Sequence, residues 1–533
     1  MPPGSCPMRG LPHLFVSCLI ILVLCASLAE ADSQHPLTTT AAGAAPKRVA
    51  IIGAGSAGSS TAYYLRQFAE VSINVTVFER NPYVGGRSTT VNVLDNPAYP
   101  VELGASIFVK VNRNLVDAVK AFGLNVAIFR QDLPRESKHV LGIWDGEGFV
   151  YLQSDTFRWW NIVKLIWRYG WAPFWTEKLM KRAINKFLKL YEPPFFPFQS
   201  LSMAAADAGL VETLRSTGSG YLRDNAISEA FSREVIQAST RVNYAQNLPL
   251  IHGLETMVCM ATDGAVSVVG GNWQIFAGML NASSAHVRLN TSVTTINRND
   301  NGTFTVSYNE DYQSTREDLF DEIVIAGPLQ DSNITISPSP NHLPRWIPYV
   351  TLHVTLFSSP HRLSGQFFNL ASASVPDVIL TTLPHGVDLG SQQDGVGLSG
   401  FWSISTLSKV EQKHYVYKVF SPQRLTGEFV ARILGVDEPT GAENLTIGDL
   451  AKQDVSWFHE KVWHSYPYLY PRENFEEISL GPNIWYTGGI ESFISAMETS
   501  SLMGRNVAGL MVQAWQKETR PKGKRIYQGK TEL

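Results

Sequence analysis

Cysteine is nearly absent. The 533-residue chain holds four, and three of them, Cys6, Cys18 and Cys25, fall within the first 25 positions. If that leading stretch is removed, Cys259 stands alone and no disulfide can form within the mature chain, so stability has to come from a buried core. With 44% hydrophobic residues the chain is able to build one, and its length favours two or more domains. Long apolar runs are missing after the leader: none approaches the roughly 20 residues needed to cross a bilayer. A surplus of basic charge is missing too, the formal net charge being -3, which argues against a nucleic-acid partner. No spacing of Ser, His and Asp, no metal-ligand cluster and no carboxylate pair marks a catalytic centre, and no metal is expected.

What is present begins with an address label. Residues 1–31 read as a secretory signal peptide: Arg9, the apolar run LFVSCLIILVLCASLA, then Ala29-Glu30-Ala31 as the A-x-A cleavage site. The mature chain is expected to start near Asp32 with a Ser/Thr/Ala-rich linker (32–46), and to be soluble in a lumen (lysosome or vacuole) or outside the cell. Sequons at Asn74, Asn281, Asn290, Asn301, Asn333 and Asn444 agree with that route. Asn281, Asn301 and Asn444 lie in the most polar contexts and are the glycosylation candidates. Asn74 falls inside a predicted core strand and Asn290 just before another strand, so neither is expected to carry a glycan. The final Lys530-Thr531-Glu532-Leu533 is a poor relative of a retrieval signal.

The first ordered element is KRVAIIGAGSAGSSTAYYLRQF. A β-branched run leads into Gly53-x-Gly55-Ser56-Ala57-Gly58, and a helix rich in Ala, Tyr and Leu follows. Glycines there allow a tight turn and close backbone approach, while helix N–H groups face a pyrophosphate. A second predicted strand, INVTVFER, ends at Glu79, 26 residues after Gly53, where a carboxylate can accept hydrogen bonds from a ribose diol. The same pattern recurs at Gly395, Gly397 and Gly400, but between a polar loop and the strand-like FWSIST, so the context fails there.

After Glu79 and Arg80 come Gly85, Gly86 and Arg87, and then Gly104, Ala105 and Ser106 in YPVELGASIF. This string resembles the flavin-binding pattern of amine-oxidase-like, glutathione-reductase-type flavoproteins. The resemblance implies FAD, with Arg87 near its pyrophosphate and the small residues lying against the flavin. HVRLNTSVTTINR, GTFTVSY and DEIVIAGP resemble the hairpin and returning strand that cover the adenine, with Val293 at the contact. NIWYTGGIESFISAMETSSLMGRNVAGLMV resembles a strand, a turn at Gly488-Gly489 and a closing helix that puts Ala496, Met497 and Glu498 beside the flavin. The expected fold class is α/β. A Rossmann-like FAD-binding domain (47–110, 262–335 and 478–516) interleaves with an α+β substrate domain (111–261 and 336–477), ahead of a tail (517–533).

VELGASIF, WNIVKLIWRYG, RVNYAQN, VVGGNWQIFAGML, WHSYPYLYP and GGIESFISAMETS together resemble the prenylcysteine oxidase (prenylcysteine lyase) family, from about residue 48 onward. The resemblance implies cleavage of the thioether of farnesyl- or geranylgeranyl-cysteine. Oxygen and water enter; cysteine, a prenyl aldehyde and hydrogen peroxide leave. Hydride departs from prenyl C1, the resulting cation is stabilised by the allyl system and by sulfur, and water adds to give a hemithioacetal that collapses. The broken bond is C–H, so the hydride step needs no side-chain base, and no catalytic side chain is named. Asn243 and Tyr244, within RVNYAQN, are candidate substrate contacts by the same resemblance. The absence of a second nucleotide motif favours oxygen over a nicotinamide as electron acceptor. A flavin oxidase acting on an amine or another lipid, and a noncatalytic lipid-binding relative, are the alternatives.

The stretch FRWWNIVKLIWRYGWAPFW, residues 157–175, holds five of thirteen tryptophans. Trp160, Trp167, Trp171 and Trp175 recur near helical spacing, and residues 157–191 carry eight Lys/Arg against one Glu. A basic, aromatic, amphipathic segment of this kind can wall a prenyl channel, with Trp167 and Trp171 touching the chain, or rest on a membrane or lipoprotein surface. The competing reading packs these tryptophans into the domain core.

Overall fold

The computed structural model describes residues 45–519 apart from 129–136, 155–157, 311–313, 372–374, 388–394 and 439–443. The leader, most of the linker, the end of the tail and the side chain of Trp160 lie outside the described residues.

The β-branched run Lys47–Ile52 forms the centre of a six-stranded sheet. Parallel strands covered on both faces favour continuous apolar residues, and Val49, Ala50 and Ile51 are fully buried. The sheet order is Ser479–Gly481, Ile484–Tyr486, Glu322–Ile325, Lys47–Ile52, Ile73–Phe78, His286–Arg288. All neighbours run parallel except Ser479–Gly481, which pairs antiparallel with Ile484–Tyr486. Strands from three distant parts of the chain thus share one sheet, as a split nucleotide-binding domain requires.

The helix Ser56–Phe68 opens on the glycine turn and buries a face of small residues, Ala57 to Ala62. That face packs on the long closing helix Met497–Thr519. The two backbones approach so closely that a Cβ on Gly504 would stand 2.3 Å from the Ala57 carbonyl oxygen, and Ser60 Oγ bonds Ser501 Oγ at 2.7 Å. A four-stranded sheet (Ser314–Phe320, Phe304–Glu310, Thr291–Arg298, Thr335–Ser337) lies beside it, and Phe78, Val293, Tyr308 and Ile325 share one core cluster.

The second domain centres on a seven-stranded sheet: Trp457–Pro467, Tyr349–Ser359, His414–Ser421, Ser403–Val410, Val378–Thr381, His139–Trp144, Phe149–Ser154. Helices between residues 158 and 259 complete it. The sequence grouping needs one adjustment. Helix Arg113–Ala121, grouped above with the substrate segments, packs against the closing helix and against helix Trp273–Ser283, and strand Val126–Ile128 pairs with Val266–Val268. Leu115 and Ala118 supply the reason: they join Ile275, Phe276 and Met279 in an apolar cluster on the nucleotide side.

Candidate functional site

The turn after the first strand is built for backbone approach. Gly53 has φ +109°, a conformation that disfavours any side chain, and a Cβ on Gly58 would stand 1.9 Å from the Gly53 carbonyl oxygen. No side chain caps the N-terminus of helix Ser56–Phe68, so its first N–H groups are left for an anion. Gly85 and Gly86 also have positive φ, and Gly86 comes close enough to Gly55 that a Cβ on it would lie 3.2 Å from the Gly55 Cα. The two glycine turns therefore meet backbone to backbone, with Gly85 N donating to the Ala54 carbonyl oxygen at 2.9 Å and no side chain between them.

Glu79 is buried at the end of the second strand. It accepts from Ala54 N at 2.9 Å and from Asn81 N and Nδ2 at 2.8 and 2.6 Å, which fixes the glycine turn and leaves one lone pair, on Oε2, for a further donor. Arg80 lies at the surface and donates to the Asp331 carbonyl. Val293 is buried with Phe78 in the cluster beside the sheet. These residues converge on the carboxyl end of the central strands, where open α/β sheets take their ligands.

The chain's two ends meet at the same place. Ser56 Oγ donates to the Met497 carbonyl oxygen at 2.6 Å, and Ser88 Oγ contacts Met497 Sδ at 2.9 Å. Gly104 presses on the Arg87 carbonyl oxygen, 2.2 Å from where a Cβ would sit; Ala105 N donates to that same oxygen and Ser106 Oγ to the Gly104 carbonyl. Gly488 opens the turn before the closing helix, and Ala496 is partly exposed there. Glu498, the third residue read beside the cofactor, turns the other way. Its carboxylate accepts from Asn114 N, Leu115 N and the Tyr191 hydroxyl at 2.9, 3.0 and 2.7 Å, tying helix Arg113–Ala121 to the closing helix. Burial outweighs those bonds and pushes its carboxyl up to about 7.

Four residues that the motifs did not single out, Glu491, Tyr349, Lys418 and Glu102, complete the site. Arg87 donates to Glu491 Oε1 at 2.6 Å and to the Ser465 carbonyl, and the Tyr349 hydroxyl donates to Glu491 Oε2 at 3.2 Å. Burial works against the Arg87 charge, but Glu491 outweighs it and holds the guanidinium above its ordinary value. Lys418, buried on strand His414–Ser421, donates to the Glu102 carbonyl at 2.7 Å and to Ser106 Oγ at 3.1 Å. The Glu102 carboxyl is raised by burial, opposed by the Asn272 N–H and Lys418. GGIES and VELGAS, already quoted, contain Glu491 and Glu102; only the partners were invisible.

Of the remaining sequence candidates, Tyr244 approaches the cradle through Tyr466, the residue after the Ser465 carbonyl that Arg87 grips, and the others do not gather there. Tyr244 is buried against Tyr466, with ring centroids 5.1 Å apart, and Asn243 Nδ2 donates within its own helix to Ser239 O at 2.8 Å. Trp167, Trp171 and Trp175 are 88%, 65% and 49% exposed, so the reading that packs them into the core fails for these three. The loop at Gly395, Gly397 and Gly400 holds Arg241, which takes the Gly395 and Val396 carbonyls at 3.2 and 2.6 Å. Asn281, Asn301 and Asn444 are exposed, and so is Asn74, which lies near the edge of its strand rather than in the core.

Fold and cradle define a class: a two-domain, dinucleotide-binding protein with the architecture of flavin amine oxidases. Residues 51–122 match the NAD(P)-binding Rossmann-like domain. Cyclohexylamine oxidase from Brevibacterium oxydans IH-35A has this fold at a TM-score of 0.55 and 16% identity, over 89% of this chain and 100% of that one. Wild-type putrescine oxidase bound to putrescine gives 0.54 at 14%, over 88% and 99%. Within that class the chain belongs to the family described as Prenylcysteine lyase, which it matches over residues 152–522. Prenylcysteine oxidase 1 of Mus musculus is 28% identical over 531 residues, 93% of each chain. Farnesylcysteine lyase of Arabidopsis thaliana is 28% identical over 490 residues, 88% of each.

Proposed function

We propose that this chain is an FAD-dependent oxidase that cleaves prenylcysteine thioethers. The observation that carries the reading is the joining of a family match through the substrate segments to a cradle in which glycine turns approach each other with no Cβ between them. The residues present fit FAD. The turn from Gly53 to Gly58 and the uncapped helix behind it would take the pyrophosphate, Glu79 a ribose, and Val293 the adenine side. Gly85, Gly86, Arg87, Gly104, Ala105, Ser106, Gly488, Ala496 and Met497 would line the remainder. When bound, FAD supplies the two-electron acceptor for the hydrogen that leaves prenyl C1 as hydride. The chain's own contribution is to orient the substrate and keep the site dry, since the allyl system and sulfur stabilise the charge that develops. An amine substrate is not favoured: the amine oxidases share the fold at 13–16% identity, whereas the relatives aligned along the whole chain act on prenylcysteine by their names.

Oxygen is the proposed final acceptor, and a lipid surface the proposed place of work. Trp167, Trp171 and Trp175 project beside the exposed Val163 and Ile166, and Lys178 stacks over Phe174 and Trp175 at 5.1 and 4.9 Å. An exposed aromatic face with a lysine over two of its rings suits an interface with anionic lipid. No helix among the described residues is long and apolar enough to cross a membrane. The reading includes passage through the secretory route to a lumen (lysosome or vacuole) or the extracellular space, with glycans on the exposed Asn281, Asn301 and Asn444; a mass loss on enzymatic deglycosylation tests that part. The decisive experiment mixes the yellow protein with farnesylcysteine without air. Bleaching of the flavin band, followed by peroxide on admitting oxygen, is the expected result; an unchanged spectrum overturns the reading.

A further inference from the structure

Three of the segments that carry the family resemblance meet at one buried cluster. Glu255 lies in the first turn of helix Gly253–Cys259, whose N-cap is His252; the Glu255 N–H donates to His252 Nδ1 at 3.1 Å. Both side chains are completely buried. Tyr244, from RVNYAQN, faces the Glu255 carboxyl and stacks edge-on with Tyr466, from WHSYPYLYP. The carbonyl just before Tyr466, that of Ser465, is the one Arg87 grips. From the third segment, the Ser495 backbone faces the Glu255 carboxyl, two residues before the Met497 that holds Ser56 of the glycine turn.

The cluster is incompletely satisfied. Among the described residues the carboxyl oxygens of Glu255 and His252 Nε2 lack a close hydrogen bond, and the carboxyl is met only loosely by the Tyr244 hydroxyl and the Ser495 N–H. A completely buried carboxyl without close partners is costly, on the order of 1–3 kcal/mol, and such groups persist where they serve a reaction.

We propose that Glu255 and Tyr244 form the proton-handling catalytic pair for the hydration and collapse that follow loss of hydride from the prenyl carbon. This rests on the thioether reading above. A hydrogen leaves C1 with both electrons of its C–H bond. The oxygen of a water forms the new C–O bond and releases one proton to the Glu255 carboxylate. The C–S bond then breaks as the proton of the new hydroxyl passes to sulfur through the Tyr244 phenol, which gives one proton and takes one, leaving an aldehyde and a thiol. The proton held on Glu255 departs with the hydride's two electrons to reduce oxygen to peroxide. The carboxyl suits this work: burial pushes it up to about 8, opposed by Tyr244 and the Ser495 N–H, so it is basic enough to take a proton and partly ionised near neutral pH.

The test separates the two halves of one turnover. Wild type, Glu255→Gln and Tyr244→Phe, each FAD-loaded, are mixed without air with farnesylcysteine while flavin absorbance and free thiol are followed together. Glu255→Gln should bleach at close to the wild-type rate yet release thiol about a hundredfold more slowly, the low end for loss of general acid–base catalysis. Tyr244→Phe should show the same split. It keeps the ring against Tyr466, so it carries the test if Glu255→Gln does not fold, which its melting temperature and flavin absorbance report. Thiol release that tracks bleaching in the folded variants, whether both are normal or both are lost, overturns the proposal. A wild type that neither bleaches nor releases thiol instead removes the thioether reading itself, and the proposal with it.

Discussion

Arg87 and Glu491 stand 2.6 Å apart across 404 positions of chain, and the bond joins the second glycine turn to the turn that precedes the closing helix. Glu491 is almost wholly buried, whereas a third of the Arg87 side chain remains exposed (34%). Removing one member of a buried pair strands the other charge, typically at 3–5 kcal/mol; partial exposure puts this pair at about 3 kcal/mol. Glu491→Gln should therefore lower the urea midpoint and weaken FAD retention through gel filtration. A variant that matches wild type in both would show that the pair does not organise the cradle.

Gly58→Ala is the smallest change that should empty the site. The added carbon would lie 1.9 Å from the Gly53 carbonyl oxygen, so the turn and the helix must separate. We expect colourless protein whose FAD affinity on reconstitution falls at least about tenfold, roughly 1.4 kcal/mol. Gly148→Ala is the control: nothing lies within 4 Å of its new carbon, and it should stay yellow. Equal FAD content in the two variants would sink the argument.

The α/β class was legible because parallel strands write themselves as apolar runs and a glycine turn leaves few alternatives at Gly53 and Gly58. Partners were not. Arg87 could be read as a cofactor contact from its place in the string that resembles a flavin-binding pattern, but nothing in one sequence says that its guanidinium meets Glu491 and Ser465, hundreds of residues away. Glu498 shows the opposite limit. Its place at the start of the closing helix suggested the cofactor, yet helical geometry aims successive side chains about 100° apart, so its carboxyl faces Asn114 and Leu115 while the Met497 thioether meets Ser88. For Trp167 and Trp171 the amphipathic pattern fixed the helices but was the same for a core-facing and an outward-facing stripe; only exposure separated them.

That exposed stripe gives a direct binding test. Each tryptophan that enters a headgroup region removes apolar area from water at roughly 25 cal/mol per Å². Replacing both Trp167 and Trp171 with Ser should weaken binding to phosphatidylserine-containing vesicles by more than about tenfold, or 1.4 kcal/mol, without altering the melting temperature. Sedimentation with vesicles at low and moderate salt measures it. Unchanged binding by the folded double variant, or no binding by wild type, would leave the aromatic face without a lipid role.

Acidity should strengthen the fold, because the buried carboxyls outweigh the buried histidine. Burial pushes Glu498 up to about 7 and Glu255 up to about 8, against roughly 4.3 for a free glutamate. Between those limits the folded state binds the proton and the unfolded state does not. Each therefore stabilises the fold fully below about pH 4.3 and loses that contribution as pH rises through its folded value. His252 opposes them: burial, then Arg472, lowers it to about 3, so its contribution is lost as pH falls below about 6.5. From pH 7.5 to pH 5 each glutamate adds roughly 2–3 kcal/mol while His252 removes roughly 2, leaving a net gain of a few kcal/mol on acidification. Urea unfolding at the two pH values should show the higher midpoint at pH 5. Glu498→Gln, which keeps the shape but cannot titrate, should lose about 2 kcal/mol of that gain. If wild type is no more stable at pH 5, or the variant gains as much as wild type, the Glu498 carboxyl is already ionised in the folded chain and its three hydrogen bonds outweigh its burial.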